Sequence, residues 1–275
     1  MSADTALTAD YSTIATLNFA REGGEDGVWS NSDAGLTKQS LNPVSVAIHD
    51  ARVHPTSLDE EGFVLVRDPV TQPRWEDPDW VQSVYLPQCQ ALVQRLTGAD
   101  QVLSLGNTGV LVRRAGATGT DQDGAAAPPA RFVHLDISPD SAPPLIAASC
   151  PDVELSRYRS IMMFNIWRSL SPSPQNTPLA ICDMRSVNRE HMKEGRTVGA
   201  DYSSGVPYLS PLYSPNQRFS YFPNLGPDEA IVFMSVRVLG DGAIGCPHSA
   251  FDVPDPYPLA PPRESVEGRV VALLA

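Results

Sequence analysis

Two histidines and one aspartate in this chain have the types and spacing of a metal site. His134 and Asp136 lie in V-H-L-D-I, and His248 lies in P-H-S-A-F. Imidazoles and a carboxylate together suit a mononuclear non-haem Fe(II), and three ligands on one face leave positions open for chemistry. An H-x-D pair converges on one ion only from an extended strand, where side chains repeat with period two. The third ligand comes from far along the chain, which a rolled sheet permits by returning a later strand beside the first.

Arg263 and Ser265, in R-E-S, begin fifteen residues after His248, enough for a turn and entry into a further strand. Period two again turns both toward one side. A guanidinium fork matches a carboxylate bidentately, and a serine hydroxyl adds a hydrogen bond. The pair is the expected seat of the distal carboxylate of 2-oxoglutarate, whose keto-acid end would chelate the metal and leave one position for O2. The competing readings are an accidental H-x-D among five histidines and an Arg263 paired with Glu264 or Glu267 at the surface. The ordered set, H-x-D, then a distant His, then R-x-S, is harder to reach by accident than any part of it.

These residues need strands to carry them. Thr13–Phe19, Val44–Ile48, Phe63–Val66, Pro178–Cys182, Arg218–Phe222, Ala230–Val238 and Gly268–Leu274 read as short strands, with 44–48 and 63–66 expected to pair. Ser160–Trp167 is nearly continuous in apolar residues, as in a strand buried on both faces. Asn165 and Arg168 interrupt it and need partners: either a structural hydrogen bond and a surface charge, or groups orienting 2-oxoglutarate or substrate. Asp79–Leu96 has helical spacing, with Pro78 at its start, Pro87 expected to kink it and Gly98 to stop it. A short helix is expected after Asp136, a single helical turn near Ser186–Met192, and strands over Val102–Val112 interrupted near Gly106–Gly109. Ala115–Ala130 is a small-residue loop, a connector or a flap over the site. Tyr202, Tyr208 and Tyr213 lie in a segment suited to a lid. Twenty-six prolines among many short strands fit an all-β core with long loops.

Bulk properties narrow the partners. The 275 residues, 42% hydrophobic and 19% charged, describe a folded globular chain. A net charge of −12 repels phosphate backbones, so nucleic acid is not expected. Neither a polybasic run nor an apolar stretch of spanning length points to a membrane. The N-terminus has no basic and apolar signal regions, which makes the cytosol the default. Cys89, Cys150, Cys182 and Cys246 are widely spaced, against a zinc ribbon or redox dithiol, and Cys246 is expected to pack rather than react.

The chain also resembles a family of fungal and bacterial oxygenases that includes the GA4-desaturase-like proteins, the cephamycin 7-methoxylation accessory protein and the AsaB-type hydroxylase/desaturases of secondary metabolism. The shared strings are V-H-L-D at 133–136, F-N-I-W-R at 164–168, P-L-A-I-C-D at 178–183, Y-F-P-N-L-G-P-D-E at 221–229, H-S-A-F at 248–251 and R-E-S-V-E-G-R at 263–269. D-A-R at 50–52, E-E-G-F at 60–63 and L-T-G-A at 96–99 extend the likeness to most of the chain. Ser169, where the family commonly has proline, and Phe219, where it often has tryptophan, depart from the pattern and bear on the substrate pocket. The resemblance implies a mainly β fold with flanking helices around a double-stranded β-helix (jelly-roll, cupin-like) core. It implies one domain over 1–275, with 1–100 as an α/β flanking region and 101–275 as the core. It implies Fe(II), 2-oxoglutarate and O2 as cofactors and favours a functional role for Asn165 and Arg168.

The expected activity is oxidation of an unactivated C–H bond in a small molecule, by hydroxylation, desaturation or cyclisation. Two alternatives stay open: an iron oxidase that takes no 2-oxoglutarate, and a non-catalytic accessory protein. Among Arg113, Arg114, Arg157, Arg159 and Arg168, one or two facing the pocket would favour a carboxylate-bearing substrate such as an amino acid. None facing it would favour a terpenoid or polyketide. The oligomeric state is left open.

Overall fold

Strand formation follows the β-branched and aromatic runs, and two curled sheets result. The computed structural model describes residues 12–31, 34–105, 110–117, 126–199, 202–240 and 244–275. In chain order the strands are β1 (Ser12–Ala20), β2 (Gly27–Ser30), β3 (Leu41–Asp50), β4 (Phe63–Arg67), β5 (Gln101–Ser104), β6 (Val110–Arg114) and β7 (Ser160–Ser169). They continue as β8 (Leu179–Cys182), β9 (Met192–Gly199), β10 (Tyr202–Pro211), β11 (Phe219–Tyr221), β12 (Glu229–Leu239), β13 (His248–Ala250) and β14 (Glu264–Leu274).

One sheet has the order β1-β3-β11-β8-β13, and the facing sheet β4-β12-β7-β14-β5, with β6 also paired to β14. A third, smaller sheet, β10-β9-β2, lies over the mouth of the roll. Non-consecutive neighbours in both large sheets are the mark of a jelly roll. The His134 segment closes the roll through two isolated antiparallel bridges, His134 to His248 and Leu135 to Leu209. The 44–48 and 63–66 runs form strands but not with each other: β3 pairs β1 and β11, whereas β4 pairs β12. Each run finds the sheet whose core its apolar side chains fill.

The helix predicted for Asp79–Leu96 is present in three pieces, α1 (Pro78–Trp80), a π-helical turn over Val81–Tyr85, and α2 (Leu86–Thr97). Pro87 falls in the first turn of α2, where its missing N–H costs nothing, and the π turn just before it absorbs the irregularity. Asp77 caps α1 by accepting from Asp79 and Trp80 N–H groups. Gly98, at φ 65°, terminates α2 in the left-handed conformation. Buried Tyr85, Cys89, Leu92 and Val93 press this helix against the outer face of β7 and β14. The short helix after Asp136 is α3 (Ala142–Ser149), which joins a second cluster with Ile161, Met163, Val236 and Val271.

The 3-10 turn Arg189–His191 supplies the expected helical turn. It leads into the β9–β10 hairpin, which Gly, Ser and charged residues hide from pattern reading. The interruption at 106–109 and most of the proposed flap, 118–125, lie outside the described residues. No described helix is long and apolar enough to cross a membrane.

Candidate metal centre and its pocket

The backbone ladder places the three expected ligands side by side. His134 and His248 face each other across an antiparallel bridge, with ring centroids 4.5 Å apart. Asp136 follows two residues on and points the same way, its Oδ1 3.8 Å from His134 Nε2 and its Oδ2 3.8 Å from His248 Nε2. One donor atom from each of the three residues lies within 4.8 Å of the others.

Both rings are held in one tautomer. His134 Nδ1 lies 2.9 Å from the Phe132 carbonyl and His248 Nδ1 lies 3.2 Å from the Cys246 carbonyl. A carbonyl only accepts, so Nδ1 carries the proton and the Nε2 lone pair faces inward, as metal ligation requires. Burial pushes His134 down to about 3, with His248 adding to the effect and Asp136 opposing it. His248 is lowered likewise, burial outweighing the pull of Asp136. For Asp136, burial alone would raise the pKa, but Arg269, the two imidazoles and Asn165 outweigh it and hold the carboxylate ionised. Two neutral imidazoles and one carboxylate, all with acceptor atoms converging, are a donor set that fits a divalent iron.

A shell of hydrogen bonds aims Asp136. Its Oδ2 accepts from Asn165 Nδ2 at 2.7 Å and Ser235 Oγ at 3.0 Å, and its Oδ1 accepts from Arg269 Nη2 at 3.0 Å. Ser235 reaches it from a bulge, because the β12–β7 register shifts between Met234 and Val236. Bulges re-aim side chains in this way beside functional sites. Gly245, at φ 144°, passes the same bulge where a Cβ would meet the Ser235 carbonyl at 2.4 Å. That close approach brings the chain into β13 and His248.

Arg263 and Ser265 also share the inner face. Arg263 Nε donates to Ser265 Oγ at 3.4 Å, its Nη1 reaches the Thr177 carbonyl at 3.2 Å, and its guanidinium lies 5.1 Å from the Trp167 ring centroid. Neither Glu264 nor Glu267 claims it: Glu264 pairs with Arg114 and Glu267 with Arg269. Among the described residues this buried cation forms no ion pair. Burial, with Arg113 nearby, pushes it down to about 9, which leaves it charged at neutral pH.

The two remaining candidates differ from expectation. Asn165 faces the site, but its amide is engaged by Asp136, so it orients a candidate metal ligand rather than a co-substrate. Arg168 is corrected outright. It falls on the outer face of β7, with Phe164 and Ile166, and donates to Tyr85 Oη, the Asp68 carbonyl and the Asp68 carboxylate. Period two on an extended strand separates 165 from 168. Of the departures from the family strings, Ser169 pairs in register with Ser265, whereas Phe219 packs on Phe19 in the apolar core.

Ser235, Glu267 and Arg269 complete the site. Glu267 and Arg269 continue the alternation begun by Arg263 and Ser265, so the string R-x-S-x-E-x-R carried the signal. Ser235 depends on a bulge, for which the sequence gives no sign. Cys246 is fully buried and packs against Gly62, as expected.

A pocket opens onto His134 and Asp136. Its walls include Trp29, Arg113, Phe132, Met163, Val206 and Tyr208. Phe132 stacks on His134 at 4.6 Å between centroids and contacts both Trp29 and Tyr208. Tyr208 is thus a pocket wall carried by the β9–β10 hairpin, while Tyr213 is exposed.

Residues 17–273 match the model of the YDMC family, described as an oxidoreductase/YMDC permease-like domain. The chain belongs to this family. Hydroxylase/desaturase CTB9 of Cercospora beticola is 28% identical over 272 residues, covering 90% of this chain and 82% of that protein. The Fe(II)/2-oxoglutarate-dependent dioxygenase nvfI of Aspergillus novofumigatus is 29% identical over 251 residues, 86% of each. A solved structure of the iron and alpha-ketoglutarate-dependent endoperoxidase NvfI superposes with a TM-score of 0.80 at 25% identity, covering 96% of this chain and 99% of that one. The likeness to hydroxylase/desaturases read from the motifs therefore holds, as does the jelly-roll core. nvfI is named an Fe(II)/2-oxoglutarate-dependent dioxygenase, and the His134–Asp136–His248 triad of this chain fits such an iron.

Proposed function

We propose that this protein is a single-domain Fe(II)/2-oxoglutarate-dependent oxygenase that oxidises an unactivated C–H bond of a small secondary-metabolism molecule. The observation that carries the reading is the convergence of three neutral-or-anionic donors within 4.8 Å on one side of a pocket. His134, Asp136 and His248 would hold the iron, and Arg263 with Ser265 would take the distal carboxylate of 2-oxoglutarate. Bound iron with 2-oxoglutarate and O2 supplies the oxidising power. The protein supplies placement: Asn165, Ser235 and Arg269 fix Asp136, the backbone carbonyls of Phe132 and Cys246 fix the imidazoles, and the aromatic wall excludes water and positions one C–H bond. Arg263 suits its role because it is a buried guanidinium with a hydroxyl at hand and no acidic partner among the described residues. The four free thiols suit the reducing cytosol.

Anaerobic titration of the protein with Fe(II) and 2-oxoglutarate tests this directly. The visible charge-transfer band of the chelate should appear in the wild type. It should vanish with His134→Ala and require much more 2-oxoglutarate with Arg263→Ala. Wild-type protein that takes up Fe(II) yet forms no chelate band would refute the co-substrate assignment.

A further inference from the structure

Arg113 is a second buried cation, a pocket-lining neighbour of Arg263. It sits at the end of β6, opposite Ser265 in register, and is 7% exposed. Its neighbour Arg114 turns outward to Glu264 and Glu76. Arg113 Nη1 donates to the Pro128 carbonyl at 2.8 Å and lies 3.4 Å from Asn31 Oδ1, which also accepts from Trp29 Nε1 at 2.9 Å. Among the described residues it has no carboxylate partner, and its two hydrogen bonds both run through Nη1. Arg113 lines the pocket together with His134 and Asp136.

Charge makes the vacancy specific. Among the described residues, the inner face holds three guanidinium groups, Arg113, Arg263 and Arg269, against two carboxylates, Asp136 and Glu267. Fe(II) and doubly negative 2-oxoglutarate cancel one another, so loading the site leaves one cation unmatched. A buried charge without a partner is costly, and a ligand that supplies the missing anion gains accordingly. Much of the pocket is apolar, with the clustered Leu105, Ile137, Leu145, Met163 and Val206 on its walls. The site therefore presents a buried cation and a hydrocarbon surface beside the candidate metal residues.

We propose that the substrate is a hydrophobic monocarboxylic acid whose carboxylate docks on Arg113 while its carbon body lies over Met163 and Val206. This rests on the oxygenase reading for what happens to that body, but not for how the acid is held. Arg113 is then a specificity-determining residue: it fixes the distance between the acid group and the C–H bond presented to the metal. Asn31, bridging Arg113 and Trp29, orients the guanidinium toward the aromatic wall.

The test is calorimetric titration of the full-length protein, anaerobic and loaded with Fe(II) and 2-oxoglutarate, with 1-naphthoate, decanoate and cyclohexaneacetate, each against its neutral carboxamide. At least one acid should bind about tenfold or more tightly than its amide, as expected for a desolvated charge pair. Arg113→Gln, with Arg113→Met as a second variant, should erase that preference. Both should keep the 2-oxoglutarate dissociation constant, read from the chelate band, within about threefold of wild type; Arg263→Gln should do the reverse. No acid outperforming its amide overturns the proposal. So does an Arg113 variant that weakens 2-oxoglutarate as much as Arg263→Gln, since Arg113 would then belong to the co-substrate. Wild-type protein without a chelate band overturns the oxygenase reading instead, and the acid-against-amide comparison without co-substrate still decides Arg113.

Discussion

Arg269 Nη2 lies 3.0 Å from Asp136 Oδ1 and 2.7 Å from Glu267 Oε1, so one guanidinium ties a candidate metal ligand to a second buried carboxylate. The aim of Asp136 therefore depends on β14 as well as on its own segment. The same strand carries Ser265, with Arg263 immediately before its first residue, which couples the candidate metal centre to the proposed co-substrate seat through one element.

Arg269→Met should weaken Fe(II) binding more than it weakens any other property. Asp136 loses its cation and Glu267 is left buried without a partner. Loss of such a supporting group costs about 10–100-fold in metal affinity. Asn165→Ala removes a neutral hydrogen bond to the same carboxylate and should fall toward the lower end of that range. Competitive titration of Fe(II) against a calibrated chelator measures both. An Asn165 variant that binds iron normally but needs more 2-oxoglutarate would restore the role that the sequence suggests for it.

Arg168 and Arg263 should separate stability from chemistry. Arg168 is paired with Asp68, and their side chains are 3% and 12% exposed. Arg168→Ala strands that carboxylate and should cost about 3–5 kcal/mol of stability in urea unfolding, with little change in iron or 2-oxoglutarate affinity in the folded protein. Arg263→Ala should do the opposite, because its guanidinium has no carboxylate to strand. Equal loss of 2-oxoglutarate affinity in the two variants would contradict the placement of Arg168 on the outer face.

Why those two arginines are hard to tell apart before folding is instructive. Both sit beside apolar runs, and only the phase of the strand assigns a face. In β14 the phase is set by R-x-S and extends to Glu267 and Arg269, so four site residues are legible there once the alternation is followed through. In β7 the run Ser160–Trp167 is apolar on both faces and carries no phase of its own. The ligands His134 and Asp136 are legible because H-x-D has chemical meaning at one spacing. Ser235 is not, because a bulge breaks the register that would reveal it. The hairpin that brings Tyr208 over the pocket is hidden for another reason: M-K-E-G-R-T-V-G and Y-S-S-G-V-P-Y-L-S-P have strand partners but little apolar alternation.

That hairpin should be sensitive to a single methyl group. A Cβ on Gly195 would lie 2.3 Å from Tyr208 Cζ, and one on Gly27 would lie 2.3 Å from the Tyr208 hydroxyl. The two glycines make the slot for the tyrosine between them. Gly195→Ala should displace the ring and cost about 1–3 kcal/mol, the usual penalty for overpacking. The chelate band should still form, since Tyr208 meets the candidate metal residue His134 through the Phe132 ring. A variant with unchanged melting temperature would mean that Tyr208 does not occupy the slot.

The iron-free protein should lose stability in mild acid because of its own metal ligands. His134 is held down to about 3 by burial, with His248 adding to the effect and Asp136 opposing it. An unfolded histidine titrates near 6.5. Below that pH the unfolded chain takes up a proton that the folded site refuses, so stability is complete above about 6.5 and falls as the pH drops toward 3. His248, lowered in the same direction, adds to the slope. Asp136, also lowered, contributes only below about 4, where unfolded carboxylates begin to protonate. Between pH 6.5 and pH 5 His134 alone should account for roughly 2 kcal/mol. Urea midpoints of the iron-free protein at pH 7.5 and pH 5 measure the fall, and His134→Gln should make it shallower. An identical slope in that variant would show that His134 takes up a proton as readily in the folded state as in the unfolded chain, which a buried, neutral imidazole does not.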